Sequence, residues 1–199
     1  MRFHLTYSGT LHGSNTGSPR ANHKHEIRKV FHRQLKQLWG ATWLKHQTYG
    51  LWDKDQTIPE RTPLNEALSA IYKRDNYRFV PLVRERISLH CSLDILFLRP
   101  DAPGSIVQSA DIDNRLKTLF DALRMPANAS ELGKYEKPNE GEDPFYCLLE
   151  DDKLISRVSV TTDMLLEPIT DLANDVRLMI DVQISPYNVT FGNIGFGGS

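Results

Sequence analysis

Two groups of carboxylates combine residue types and spacings that could support metal-ion chemistry. Asp111 and Asp113 are two residues apart at the start of a helix-like segment, and Asp151 and Asp152 are adjacent in an acidic turn. Carboxylate oxygens are preferred ligands of Mg²⁺, and bound metal can activate water and stabilise charge on a phosphodiester. Lys117 follows Asp113 by one helical turn and could neutralise charge on the same phosphate. These residues favour metal-dependent phosphodiester hydrolysis.

Each of these residues also has a purely structural interpretation. Asp111 lies where a helix N-cap is expected, so its carboxylate could accept hydrogen bonds from free backbone N–H groups. Asp113, Lys117 and Asp121 are spaced for ion pairs along one helix face, each worth ~0.2–0.5 kcal/mol. The second acidic pair, taken alone, is typical of a solvated turn. The catalytic interpretation requires all four carboxylates to converge.

The order and spacing of these residues resemble the RusA family of Holliday-junction resolvases. That family carries Asp-x-Asp-Asn-x-x-Lys, then Asp-Ala-Leu on the same helix, then an Asp-Asp pair closely followed by an aliphatic residue. The matching residues here are Asp111, Asp113, Asn114, Lys117, Asp121-Ala122-Leu123, Asp151-Asp152 and Ile155. The resemblance covers mainly residues 85–185.

The resemblance implies both a fold and an activity. The fold would be a small α/β (α+β) domain in which a mixed open sheet packs with helices, and the protein would act as a homodimer. The activity would be Mg²⁺-dependent cleavage of four-way DNA junctions during recombination and repair, with Mn²⁺ as an alternative ion. The implied catalytic residues are Asp111, Asp113, Asp152 and Lys117, and Asp151 completes the implied metal ligands.

Two other functions agree with the same residues. The chain could be a non-catalytic nucleic-acid-binding subunit of a larger assembly, or a nuclease that acts on other branched DNA or on RNA. Four aspartates beside Lys117 favour an enzyme, because a protein that only binds nucleic acid has no need to concentrate like charges. The motif does not distinguish a Holliday junction from the other branched substrates.

Charge is unevenly distributed along the chain. Residues 1–100 carry 16 Lys and Arg against 8 Asp and Glu, whereas residues 101–199 carry 8 against 17. A basic half favours a polyanionic partner such as DNA, and mutual attraction of the two halves explains the pattern equally well. The candidate DNA-binding residues are Arg28, Lys29, Arg33, Lys36 and Arg115.

Hydrophobic periodicity predicts the elements that would position these residues. Alternating apolar residues predict strands at 2–7, 87–97, 154–160 and 176–184. Apolar stripes at helical spacing predict helices at 23–39, 64–72 and 112–124. The mixed order predicts one domain over residues 1–199 with an open sheet. We expect three additions to a compact core: a basic helical extension over 20–80, a surface insertion over 124–149 and a flexible tail over 190–199.

Composition excludes several protein classes. No stretch approaches the ~18 apolar residues of a membrane-spanning helix, and the N-terminus lacks a signal-peptide core. Cys91 and Cys147 are the two cysteines, which excludes a disulfide framework and a cysteine-rich zinc site. We therefore expect a soluble, cytoplasmic protein with reduced thiols and no membrane partner.

Overall fold

The computed structural model describes residues 1–13, 20–50, 58–59, 61–100, 111–167 and 175–197. Within these residues the chain forms a mixed α+β fold with two sheets. The strands are β1 (Arg2–Thr10), β2 (Lys73–Arg74), β3 (Tyr77–Val83), β4 (Leu89–Arg99), β5 (Phe145–Leu149), β6 (Ile155–Met164) and β7 (Asp175–Pro186). The α-helices are α1 (Arg20–Ala41), α2 (Leu64–Ile71) and α3 (Asp111–Leu123). The α+β class expected from the sequence is confirmed.

The larger sheet contains four strands in the order β1-β7-β4-β6. β7 runs antiparallel to both β1 and β4, whereas β4 and β6 are parallel. All four strands were predicted from alternating apolar residues, although their ends differ by a few residues. Alternation identified them because one face of this sheet packs on the core, as Leu93, Ile95 and Phe97 of β4 illustrate at 2% exposure or less.

The smaller sheet was missed by the sequence analysis. β3 lies between β2 and β5, antiparallel to the first and parallel to the second, with Phe79 opposite Phe145. All five side chains of β5 are buried, as are most of those in β3. A strand buried on both faces gives a continuous apolar run without the period-2 signal.

The prediction of a surface insertion over 124–149 was wrong, because this range includes β5. Residues 145–149 form a core strand, so the insertion is confined to the segment before it. Even within that segment, Met125 and Leu132 are 2% exposed and pack with Tyr77, Phe79 and Phe145 in a second apolar cluster. Residues 124–149 therefore help to build the domain.

The basic segment over 20–80 is also part of the core. Ile27, Phe31 and Leu35 of α1 are at most 1% exposed and belong to the same apolar cluster as Leu5 and Ile180 of the larger sheet. β2 and the first residues of β3 fall in the same stretch. The helices at 23–39 and 64–72 were predicted correctly, but they do not form an appendage.

The C-terminal segment up to residue 197 is docked, contrary to the expected flexible tail. Phe196 is 4% exposed and Asn193 is fully buried. Asn193 Nδ2 donates to the Ile87 carbonyl at 2.8 Å, and the Met1 ammonium donates to the Phe196 carbonyl at 2.8 Å. These bonds join the segment around Asn193 and Phe196 to the turn before β4 and to the first residue of the chain. None of the helices in the described parts of the chain has the length and apolar character needed to cross a bilayer.

Candidate functional site

The C-terminal end of α3 is anchored by a buried arginine of α1. Arg28 is 1% exposed, and its guanidinium donates to the carbonyls of Asp121 at 2.8 Å and Arg124 at 3.1 Å. The last carbonyls of a helix lack intrahelical partners and carry partial negative charge, so a cation there is stabilising. Arg28 was predicted to bind DNA phosphates, and its burial shows that this prediction was wrong.

Asp121 strengthens the same contact between α1 and α3. Its carboxylate forms an ion pair with Lys24 of α1 and accepts from Arg124 at 2.8 Å, and Arg124 also pairs with Glu131 at 3.0 Å. Burial alone would raise the pKa of Asp121, but the hydrogen bonds and charges of Lys24 and Arg124 outweigh it and lower the pKa. The ion partners of Asp121 in the described structure are thus Lys24 and Arg124, not the predicted Lys117.

The solvent-facing side of α3 presents the other motif residues. Asp113 and Lys117 are both exposed, one helical turn apart. Arg115 is 5% exposed, which removes a second residue from the predicted DNA-binding set. Asp111 is the first residue of α3, and its side chain lies outside the described residues. The predicted capping and metal-binding roles of Asp111 therefore stay predictions.

The acidic turn between β5 and β6 is held by backbone hydrogen bonds that two of its carboxylates accept. Glu150 Oε2 accepts from the Glu85 backbone N–H at 3.0 Å, and Asp151 Oδ1 accepts from the Lys153 N–H at 3.0 Å. The second bond caps a short 3₁₀ turn over Asp152–Leu154. Asp152 is exposed. Glu150 and Asp151 thus shape the turn, and Asp152 faces solvent.

The motif helix and the acidic turn are neighbours in space. The Met125 N–H donates to the Leu149 carbonyl at 2.9 Å, so the chain leaving α3 lies beside the end of β5, where the acidic turn begins. Cα atoms of α3 and of the 152–154 turn approach within 8 Å of one another. The structure therefore brings together the two elements that carry the motif.

A complete set of metal ligands is not formed by the described side chains. Among them, no group of three or more His, Cys, Asp or Glu side chains is arranged to hold an ion. Asp113, Asp151 and Asp152 thus do not form such a group by themselves. The fourth carboxylate of the predicted set belongs to Asp111, whose side chain lies outside the described residues.

The remaining predicted DNA-binding residues lie on α1 and differ in their surroundings. The Lys29 ammonium is 3.7 Å from Glu26 and 3.8 Å from Glu142, and it lies 4.0 Å from the centre of the Tyr135 ring. Arg33 and Lys36 are exposed. Lys36 also donates to the Gly141 carbonyl at 2.7 Å. Arg33 and Lys36 therefore remain as the accessible cations of the predicted set on this helix.

Two buried histidines next to this surface are structural. His25 accepts a hydrogen bond from Arg28 at 3.3 Å, and burial is the main cause that lowers its pKa to about 3. His32 Nδ1 accepts from the Tyr146 N–H at 2.8 Å, and burial lowers the pKa of His32 as well. Both rings are neutral at physiological pH. They join α1 to the smaller sheet, since the His25 ring contacts Tyr77 and Phe145 and His32 bonds to Tyr146.

Several residues that shape this region were missed by the sequence analysis. Lys24, Arg124 and Glu131 complete the ion-pair cluster around Asp121. The i,i+3 spacing of Asp121 and Arg124 was a visible signal, whereas Lys24 lies 97 residues from Asp121 and gave none.

Comparisons of the chain with profiles of protein families, with curated proteins and with solved structures gave no match. The motif and its placement in the fold are thus the features that indicate a function.

Proposed function

We propose that the protein is a RusA-like, Mg²⁺-dependent endonuclease that resolves Holliday junctions. The observation that carries the proposal is the contact between α3 and the 152–154 turn, which come from separate parts of the chain. Asp113 and Lys117 are exposed on the first element, and Asp152 is exposed on the second. A structure with these elements on opposite sides of the domain would have contradicted the motif.

The donor chemistry of these residues fits a hard divalent cation. Asp113 and Asp152 offer exposed carboxylates, and Asp151 uses only Oδ1 to cap its turn. Mg²⁺ is commonly held by one or two carboxylates and keeps several of its waters. Asp111, Asp113, Asp151 and Asp152 are the residues that would hold it, with Mn²⁺ as an alternative. When bound, the ion would activate water and neutralise charge on the phosphodiester.

The chain's own residues would position and bind the DNA. Lys117 would place an ammonium beside the scissile phosphate, one helical turn from Asp113. Arg28 and Asp121 hold the opposite end of α3 against α1, which limits movement of the helix along its axis. Arg33 and Lys36 would contact the phosphates of a duplex arm, and contacts of that kind position DNA without reading its sequence.

The substrate's symmetry favours two copies of the protein. Resolving a four-way junction requires two cuts on symmetric strands, and a two-fold dimer would supply one site for each. We place this activity in the cytoplasm, where Cys91 and Cys147 would stay reduced. Both thiols are buried, and burial raises the pKa of each to about 12, so they take no part in the proposed chemistry.

The substrate assignment is tested with a panel of labelled nucleic acids. The protein is incubated with a four-way junction, a flap, linear duplex, single-stranded DNA and RNA, each with Mg²⁺ or with EDTA. We expect paired, symmetric nicks in the junction with Mg²⁺ alone. Preferred cleavage of flaps or RNA would contradict the junction assignment but keep the nuclease assignment. Tight junction binding with no cleavage in Mg²⁺ would favour a non-catalytic subunit.

A further inference from the structure

β6 is an edge strand of the larger sheet. It pairs with β4 along one side, and no other described strand pairs with its other side. An edge of this kind presents backbone N–H and C=O groups that can pair with another chain. Proteins usually protect such edges with proline, bulges or inward-pointing charges. The ten residues of β6 contain no proline, and most of them are exposed. The irregularity in its pairing with β4 lies near its start, where Ile155 and Arg157 face the adjacent Cys91 and Ser92 and leave Ser156 as an extra residue, so the pairing from 157 to 164 is regular.

The side chains of β6 form two different faces. Val158, Val160 and Met164 lie on the core side, because they pair with the buried Leu93, Ile95 and Arg99 of β4. Val158 and Met164 are nevertheless each 40% exposed, so the core does not cover this end of the sheet. The opposite face carries the two charged residues of the strand, which are Arg157 and Asp163.

The two charges are symmetric about the middle of β6. Arg157 and Asp163 each lie three residues from Val160. If two copies of β6 pair antiparallel about a two-fold axis at Val160, each Arg157 lies opposite Asp163 of the other copy. Opposite charges at directly paired positions stabilise an antiparallel pair, whereas like charges destabilise it.

The same register pairs compatible residues over positions 158–162. Val160 faces its own copy, and Val158 faces Thr162, so apolar surface at the edge becomes covered. Ser159 faces Thr161 on the charged side. If the pairing of the two β6 strands shifted by one residue, the apolar face of each would lie opposite the charged face of the other. A shift of two residues would move Arg157 away from Asp163 of the other copy. The sequence of β6 thus specifies one self-pairing register.

We propose that β6 is the surface through which two copies of this chain pair, extending the four-stranded sheet of each into one continuous sheet. The proposal deepens the proposed function and rests on it for its biological role, since it names the surface that joins the two nuclease subunits. Strands rise about 3.3 Å per residue, so the two copies of Ile155 would lie roughly 33 Å apart. The two acidic turns would therefore lie toward opposite ends of the paired strands.

An existing ion pair of Arg157 is compatible with this arrangement. Arg157 Nη2 donates to Asp94 at 2.7 Å within the same sheet, and the Arg157 side chain remains 59% exposed. A guanidinium has five N–H donors, so it can hold Asp94 and a second carboxylate together. Asp163 is exposed on the same face.

Charge reversal tests the surface and its register. The oligomeric state is measured by sedimentation velocity without DNA or metal for the wild type, Arg157→Glu, Asp163→Arg and an equimolar mixture of the two variants. We expect a wild-type dimer and a rise in Kd of about tenfold or more for each variant alone, since each dimer contains two affected pairs. The mixture should dimerise again, because each reversed charge then faces its complement.

A matched control uses the opposite edge of the sheet. Arg2 on β1 is exposed and pairs with Asp181, as Arg157 pairs with Asp94. Arg2→Glu should leave the dimer intact. A wild-type monomer at every concentration tested, or variants that dimerise like the wild type, would overturn the proposal. Equal weakening by Arg2→Glu would overturn it as well.

A cysteine probe tests the register independently of charge. Val160→Cys places a thiol at the proposed two-fold axis, and the native Cys91 and Cys147 are buried. Mild oxidation should link two chains through residue 160, whereas Thr6→Cys on β1 should give no interchain disulfide. Linkage at position 6 and none at 160 would overturn the proposal. These measurements contain no nucleic acid, so their outcome is separate from that of the cleavage assay.

Discussion

At the scale of single residues, Asp121 separates a structural role from a catalytic one within the same motif. It lies on α3 with Asp113, but its carboxylate is directed into contacts with Lys24 and Arg124 instead of solvent. The side chain of Asp121 is 17% exposed, whereas Asp113 is exposed on the same helix. Asp121 of the Asp-Ala-Leu portion therefore fixes the helix, whereas Asp113 of the Asp-x-Asp portion faces solvent.

Asp121→Asn should destabilise the fold in a pH-dependent way. Loss of the charge leaves Lys24 without its carboxylate and Arg124 with Glu131 alone, which should cost about 1–3 kcal/mol near neutral pH. Because the folded pKa of Asp121 is lowered below its usual 3.8, its stabilisation is present above that pH and is lost as pH falls through the folded pKa. Urea unfolding near pH 6.5 and pH 3 should show the difference between variant and wild type shrinking in acid.

Asp113→Asn is the matched control for this measurement. It makes the same chemical change at an exposed position of α3 and should alter stability by no more than about 0.5 kcal/mol at either pH. A difference between Asp121→Asn and wild type that stays constant between the two pH values would contradict the assigned ion pairs.

The sequence indicated the exposure of some motif residues, but it did not indicate the partners of the buried ones. The exposure of Asp113 and Lys117 follows from helical spacing, because the apolar stripe of α3 leaves them on the other face. Arg28 was misassigned because arginine is rarely buried in full. Its partners are helix-terminal carbonyls 93 and 96 residues away, and no local pattern indicates them.

At the scale of elements, the basic residues of α1 divide into two groups that its composition alone does not distinguish. Its buried side, including Lys24 and Arg28, holds α3, while Arg33 and Lys36 are exposed. Lys29 lies between the two groups and is close to Glu26 and Glu142. The helix therefore exposes fewer cations to solvent than its number of basic residues suggests.

Salt dependence of junction binding should distinguish the residues of α1. Arg33→Gln should weaken binding and lower the slope of log Kobs against log salt by about 0.9, which corresponds to one lost phosphate contact on a duplex arm. Lys29→Gln, one helical turn earlier, should leave the slope unchanged, because its charge is already balanced by glutamates. Equal slopes for wild type and Arg33→Gln would exclude Arg33 from the interface.

β5 shows why the second sheet could not be predicted. Its five apolar residues follow a polar stretch, and a short continuous apolar run does not distinguish a buried strand from a buried helix turn. Its parallel partner β3 ends 62 residues earlier in the chain, at Val83. Strands with alternating exposure were found, and strands buried on both faces were not.

Leu148→Ala should show that β5 is integral to the fold. Leu148 is fully buried, so loss of its side chain should lower the free energy of unfolding by about 2–5 kcal/mol. Glu136→Ala, an exposed change in the preceding segment, should stay within about 0.5 kcal/mol. Denaturant unfolding with both variants compares them directly. A small effect of Leu148→Ala would restore the interpretation of 124–149 as a surface insertion.

At the scale of the whole molecule, ion pairs join the basic and acidic halves of the chain. They include Arg2–Asp181, Lys24–Asp121, Lys29–Glu142 and Arg78–Asp143, each with its cation in the first half and its anion in the second. The more exposed of these pairs, Arg2–Asp181 and Arg78–Asp143, contribute little stability individually. The four pairs do balance charge locally. Attraction between the halves therefore accounts for part of the uneven charge distribution that we also took to favour DNA binding.

The overall topology depends on contacts that the sequence does not display. β7, the last strand in the chain, lies between β1 and β4, and the first residue of the chain bonds to its end. Periodicity predicted each of these strands but not their order. The motif predicted that α3 and the acidic turn lie close together. Their closeness depends on β5, the strand that periodicity missed.

Cleavage of a four-way junction by wild type and Asp113→Asn tests the central claim most directly. Asparagine keeps the shape of the side chain and removes one ligand charge, and Asp75→Asn makes the same change at an exposed aspartate in the β2–β3 turn. With Mg²⁺, the wild type and Asp75→Asn should cut the junction at similar rates. Asp113→Asn should bind the junction as tightly or more tightly and leave it uncut. Wild-type cleavage by Asp113→Asn would contradict the proposed active site.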